Sequence, residues 1–244
     1  DIGYIKINRF AANTYIEMME KVDKLIKKGM EKVVLDFRGN PGGYLHIANQ
    51  ICDEFLQKGE LIVFTEGRNR PKQETFATQY GSLEKMNVIV LINEGSASAS
   101  EIVSGAFQDN DRGLVIGRRS FGKGLVQEQI NLDDGSVLRL TTQRYYTPSG
   151  RCIQKEYGES TKDYYLEQYT RDEKKNESDS VKYTTKEGRI VFGGGGINPD
   201  ITIERDTNVN YQQINKILSK GWIREFCFEQ SELLKKERIS NFDQ

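Results

Sequence analysis

Ser98, Lys123 and Gln127 are the residues of this sequence whose types and spacing can do chemistry. The lysine follows the serine by twenty-five positions and the glutamine follows the lysine by four. A serine hydroxyl becomes a nucleophile when a base takes its proton, and that base is most often histidine. The chain holds a single histidine, His46, which precedes Ser98 by 52 positions. No acid is placed by a motif to orient it. Order alone does not exclude a Ser-His-acid set, but a serine–lysine pair is the natural replacement.

Each of these residues also has a structural reading. Ser98 lies in Gly95-Ser96-Ala97-Ser98-Ala99-Ser100-Glu101-Ile102, directly after the apolar run Val88-Ile89-Val90-Leu91-Ile92. A serine between small residues, after a buried strand and at the start of a helix, has the geometry of a nucleophile elbow without the G-x-S-x-G spelling. The helix start offers unpaired N–H groups and positive potential to an oxyanion. The same letters, Ser98-x-x-Glu101, spell a capping box, which is the commoner use of such a serine. Lys123, in Ser120-Phe121-Gly122-Lys123-Gly124, reads either as a solvated side chain or as a base. As a base it must be neutral, against a reference pKa of about 10.4. Burial beside Phe121, Leu125 and Val126 would favour that form. Gln127 reads as a plain strand residue or as the amide that holds the lysine amine. Gly42-Gly43 reads as turn punctuation. Alternatively, a backbone N–H there joins that of Ala99 as an oxyanion donor, and such pre-aimed donors contribute about 3–4 kcal/mol each. His46 reads as a surface or helix-end residue.

Strand-like and helix-like segments alternate around these residues. Residues 2–8 read as a strand. Asn13 can cap a helix to Lys28 that carries Ile16, Met19, Val22 and Ile26 on one face, with Gly29 ending it. Val33 to Phe37 is a buried strand, followed by the turn Arg38-Gly39-Asn40-Pro41-Gly42-Gly43 and a helix over about 44–57. A strand spans 61–65, and 66–85 reads as polar and irregular. The strand 88–92 leads through the serine segment to a helix over about 98–109, and Leu114-Val115-Ile116 is a further strand. This βαβ rhythm predicts an α/β fold with a mostly parallel sheet covered by helices. Asp133-Asp134-Gly135 then turns a hairpin between 126–130 and 137–142. Residues 155–188 are polar and tyrosine-rich, and read as a surface excursion, part helix and part mobile loop. Gly193 to Gly196 mark a tight backbone path, Ile201 to Ile203 a last strand, and 208–236 one or two helices.

The 244 residues suit one large domain or two small ones, with a formal net charge of −1 that gives no support to nucleic-acid binding. No apolar run approaches the roughly 18–20 residues that span a bilayer. The sequence begins Asp1-Ile2-Gly3-Tyr4 and reads as a mature form or an excised piece. Cys52, Cys152 and Cys227 are scattered, so neither a disulfide framework nor a structural zinc site is expected.

Taken together, the segments resemble the carboxyl-terminal processing peptidases, or tail-specific proteases, of the S41 serine peptidase family. The matching pieces are Ile2-Gly3-Tyr4-Ile5, Val34 to Gly43, Asn93 to Ile102, Gly117 to Gln127, Tyr145-Tyr146-Thr147-Pro148-Ser149-Gly150-Arg151 and Gly195 to Ile201, in family order. The resemblance implies a ClpP/crotonase-like core of βαβ units with an added β-hairpin and a C-terminal helical segment. It implies Ser98 as nucleophile, Lys123 as general base, Gln127 as the residue that positions the lysine, and the N–H groups of Ala99 and of Gly42 or Gly43 as oxyanion hole. It implies no metal or organic cofactor, protein or peptide substrates presenting C-terminal tails, and a cell-envelope location, and it leaves a homo-oligomer open. Members usually carry an upstream PDZ domain, for which this chain has no counterpart, so 1–244 is expected to be the peptidase core. Two rival readings share the fold: a non-catalytic ligand-binding module and a crotonase-like acyl-CoA enzyme.

Overall fold

The computed structural model describes residues 1–78, 81–157, 160–170, 181–205 and 211–236. The chain divides into two compact units, Asp1–Ile203 and Glu204–Gln244. The first unit is built on a parallel sheet of five strands in the order β1 (Ile2–Lys6), β2 (Lys32–Asp36), β5 (Asn87–Ile92), β6 (Leu114–Gly117) and β11 (Ile201–Thr202). β1, β2, β5 and β6 are short apolar runs that each bury one face, while Ile2, Tyr4 and Leu114 in them and Ile201 of β11 are exposed. Val33, Leu35, Val90, Ile92 and Val115 are buried at its centre. The helices α1 (Thr14–Ile26), α2 (Leu45–Phe55) and α3 (Ala99–Asp109) are the crossovers.

A second, antiparallel sheet has the order β4 (Arg70–Phe76), β3 (Leu61–Gly67), β8 (Val137–Tyr146) and β7 (Leu125–Asn131). The hairpin expected at Asp133-Asp134-Gly135 joins β7 to β8. The stretch expected to be irregular after residue 66 instead contains β4. Its residues are almost all exposed and include Pro71, so no hydrophobic pattern marks it. Pairing with β3 makes the strand, and its edge position tolerates the proline.

A second correction concerns α1. Ile16 and Ile26, expected on its buried face, are exposed, whereas Met18 and Val22 are buried and Tyr15 and Leu25 partly so. The Tyr15 hydroxyl donates to Glu54 Oε1 on α2 at 2.5 Å, which turns the stripe 15, 18, 22, 25 inward. That stripe keeps helical spacing, so the sequence admits it equally well.

Within the 155–188 excursion, α4 (Thr161–Thr170) and β9 (Lys182–Thr184) form, and β9 pairs with β10 (Ile190–Phe192). Residues 158, 159 and 171–180 of that excursion lie outside the described residues. The second unit contains α5 (Tyr211–Ser219) and α6 (Trp222–Lys236), joined through Gly221 at φ +73°.

Candidate active site

Three neighbouring parallel strands deliver their C-terminal loops to one place. The loop after β2 brings Gly42 and Gly43, the loop after β5 brings Ser98 and Ala99, and the loop after β6 brings Lys123. Ser98, Lys123, Gln127, Gly42, Gly43 and Tyr145 all line one cleft of about 670 Å3. Arg9 and Arg139 also line it, and no carboxylate among the described residues does.

Ser98 stands at the N-cap of α3 with φ 56° and ψ −114°. It is one of two non-glycine residues with positive φ among the described residues, the other being Asp111. Such a backbone costs about 1–3 kcal/mol and persists only where the surroundings enforce it. Here they do. Ala97 N–H and the Ser100 hydroxyl both donate to Asn40 O at 3.0 Å, which ties the serine loop to the glycine loop. The Ser96 hydroxyl donates to Phe37 O at 2.8 Å, and Asn93 Oδ1 accepts Gly39 N–H at 2.8 Å and Gly95 N–H at 3.0 Å.

The two glycines differ in what they offer. Gly42 N–H donates to Asn40 Oδ1 at 2.9 Å, whereas Gly43 N–H has no acceptor among the described residues. Ala99 N–H, in the first turn of α3, likewise has none. Of the two glycines, Gly43 is thus the one whose N–H is unpaired among the described residues. Gly42 has a steric role: a Cβ there would lie 2.7 Å from Ser98 Cβ and 2.8 Å from Ala99 N.

Lys123 is half-buried on a turn held from several sides. Ser120 N–H donates to Ile197 O at 3.0 Å and Ile197 N–H to Ser120 Oγ at 2.6 Å. Gly122 O accepts Lys155 N–H at 3.0 Å, and Gly124 N–H donates to Gln154 Oε1 at 2.9 Å. Gly196, at φ +96°, passes so close that a Cβ would lie 2.6 Å from Ser120 O, which accounts for glycine at that position. The Phe121 ring serves another cation: Lys155 Nζ lies 4.1 Å from its centroid. Leu125 and Val126 line the cleft beside Lys123. Gln127 is exposed on β7, and no hydrogen bond joins it or Ser98 Oγ to Lys123 Nζ. Catalytic hydrogen bonds commonly tighten only around a bound substrate. His46 is exposed on α2 against the Tyr44 ring, at 5.3 Å between centroids.

Two residues to which the sequence assigned no role at the site join the serine to the lysine. The fully buried Glu101 carboxylate accepts Ser98 N–H at 2.8 Å and Lys123 N–H at 2.9 Å on Oε2. It accepts Gly122 N–H at 2.7 Å and the Ser120 hydroxyl at 2.5 Å on Oε1. Burial pushes this carboxyl above its ordinary range, and the four bonds work against that shift. Ser98-x-x-Glu101 did announce a bond from Glu101 back to Ser98 N–H, but the partners at 120–123 are distant in sequence. The second residue, Tyr145, donates its hydroxyl to Ser98 O and Lys123 O.

The family model of Peptidase family S41 matches residues 1–166. The chain belongs to that family. A carboxy-terminal-processing protease of Bartonella bacilliformis is 46% identical over 159 residues, covering 63% of this chain and 36% of that protein. A carboxyl-terminal-processing protease of Picosynechococcus is 39% identical over 154 residues, covering 63% of this chain and 37% of that protein. The chain thus spans little more than a third of the curated relatives' length. Among solved structures, the photosystem II D1 C-terminal processing protease superposes with a TM-score of 0.61 at 27% identity, over 83% of this chain and 42% of that one. An S41 protease structure from Bacteroides fragilis, at 17% identity and TM-score 0.58, shares the fold, covering 84% of this chain and 48% of that one.

Proposed function

We propose that this S41 chain is the catalytic core of a serine endopeptidase that cuts protein substrates near their C-termini, with Ser98 as nucleophile and Lys123 as general base. The observation that carries the reading is the convergence of three strand loops on one cleft lined by a strained serine, a lysine and Gly43, with unpaired N–H groups at Gly43 and at Ala99 next to the serine. The neutral Lys123 amine takes the Ser98 proton as Oγ attacks a peptide carbonyl. The tetrahedral oxyanion rests on the N–H groups of Ala99 and Gly43, where each pre-aimed donor is worth about 3 kcal/mol. The C–N bond breaks as Lys123 returns its proton to the leaving amine. Water then attacks the acyl-enzyme by the same route and frees the new carboxyl end. Gln127 lies on the rim of the cleft, where its amide can orient the lysine amine. The names of the relatives support processing of C-terminal tails; a cell-envelope location is part of the proposal. An upstream tail-reading domain of the PDZ type would belong to the longer protein.

The test is acylation of Ser98 by a fluorophosphonate, followed by mass spectrometry, together with cleavage of a protein carrying an apolar C-terminal tail. Ser98→Ala and Lys123→Ala should each abolish both signals, and the double change should cost little more, because the groups act as a unit. A Lys123→Ala protein that still labels and cleaves at the native rate overturns the dyad. Thioester hydrolysis without peptide cleavage would instead favour the acyl-CoA reading.

A further inference from the structure

Tyr145 stands at the end of β8, far from Ser98 and Lys123 in sequence, yet touches both. Its side chain is 2% exposed. Its N–H donates to Gly124 O at 3.0 Å, and its register partner on β3 is Thr65, so its backbone is fixed on both sides. The hydroxyl reaches Ser98 O at 3.1 Å and also reaches Lys123 O. One O–H proton is thus shared between the main-chain carbonyls of the two residues. Glu101 Oε2 receives the N–H groups of the same two residues, in the peptide units just before those carbonyls. The two backbones are bracketed by one acceptor and one donor.

We propose that Tyr145 is a positioning residue of the reaction, whose hydroxyl sets the separation and orientation of Ser98 and Lys123 by bridging their carbonyls; this rests on the dyad assigned above. Neither Ser98 Oγ nor Lys123 Nζ is held by a direct bond to the other, so their relative placement must come from their backbones. Those backbones belong to different loops, after β5 and after β6. Among the described residues that line the cleft, the phenol is the one group that contacts both carbonyls. Burial, and then the nearby Glu101 carboxylate, push its ionisation well above the ordinary tyrosine range, so it remains a donor throughout the pH range of the reaction. Because an error of about 1 Å in a reacting pair can cost about 100-fold, the bridge bears on rate rather than on substrate affinity.

The experiment compares three replacements in the complete protein: Tyr145→Phe, 4-fluorophenylalanine as a non-donor of matched volume, and 4-aminophenylalanine as a donor. For the two non-donors kcat should fall about 10- to 100-fold with KM within about twofold, and the rate of fluorophosphonate acylation should fall in parallel. The donor replacement should recover most of the lost rate. A tyrosine that merely packs would lower Tm and leave kcat per folded molecule unchanged. Native kcat in either folded non-donor, or equal loss in donor and non-donor alike, overturns the proposal. Ser98→Ala and Lys123→Ala run beside them keep the two claims apart. If those are dead while Tyr145→Phe is native, the dyad stands and the bridge falls; if either of them turns over substrate, the dyad reading itself has failed.

Discussion

Replacing Glu101 by glutamine tests whether one buried carboxylate joins the serine loop to the lysine loop. The side chain keeps its shape, but one acceptor oxygen becomes an NH2 group that can only donate. With the amide nitrogen at the Oε2 position, the N–H groups of Ser98 and Lys123 lose their acceptor. With it at Oε1, Gly122 N–H and the Ser120 hydroxyl lose theirs, and that hydroxyl already accepts Ile197 N–H at 2.6 Å. Either way two buried donors are orphaned, at about 1–3 kcal/mol each. The neutral amide escapes the burial penalty that pushes the carboxyl up, which offsets part of the loss. A net destabilisation of about 2–4 kcal/mol follows, or a Tm lower by about 4–16 °C for a chain of this size. Calorimetry reads the stability. The rate of Ser98 acylation by a fluorophosphonate, measured well below Tm, reads the site and should fall by about tenfold or more. A Glu101→Gln protein with Tm within about 1 °C of native and an unchanged acylation rate would refute the reasoning.

Further predictions concern other parts of the first unit. Gly42→Ala places a Cβ 2.5 Å from Ala97 O and 2.7 Å from Ser98 Cβ at φ +94°, so acylation of Ser98 should be lost even where the protein remains folded; native labelling would show that the glycine loop gives way freely. Asp36 is buried, which alone would raise its carboxyl, but hydrogen bonds from Arg38 and Tyr4 outweigh this and hold it at about 2. The folded-state value lies below the unfolded one, so about 2 kcal/mol of stability is present above pH about 4 and lost as pH falls toward 2. Asp36→Asn should flatten that acid limb in denaturant titrations, and an unaltered limb would assign it elsewhere. Arg151→Met strands the buried Asp109 carboxylate, its ion-pair partner at 2.6 Å, and should cost about 3–5 kcal/mol; the added change Asp109→Leu should restore much of it. Urea unfolding of the two variants checks both signs. His46→Ala should label and cleave as the native protein does, and loss of turnover would reopen the histidine as base.

The parallel sheet was legible because its strands are short apolar runs separated by helical periods, as in Val88 to Ile92 before α3. Strand β4 was not, since Arg70 to Thr75 carries no apolar alternation and exists through pairing with β3. The buried face of α1 was misjudged because two apolar stripes compete on it, and the Tyr15–Glu54 bond chooses between them. At the site, Ser98, Lys123 and the glycine pair each had an ordinary structural reading by type and spacing, and only the ordered set of family motifs singled them out. The choice of Gly43 over Gly42 depends on where the Asn40 amide points, which no local pattern encodes. Glu101 was visible only as half of a capping box, and Tyr145 only as one aromatic among several in a strand. Their importance arises from bonds across long stretches of chain, 22 positions in each case from Lys123.

The order in which these pieces leave the ribosome matters. Ser98 is synthesised well before Lys123, and Lys123 before the tyrosine that touches both. Under the proposed assignment, a nascent chain carrying Ser98 alone would lack its base, and one carrying Ser98 and Lys123 would still lack β8 and the sheet that seats it. Peptide cleavage would then have to wait until Tyr145 has emerged and its strand has docked.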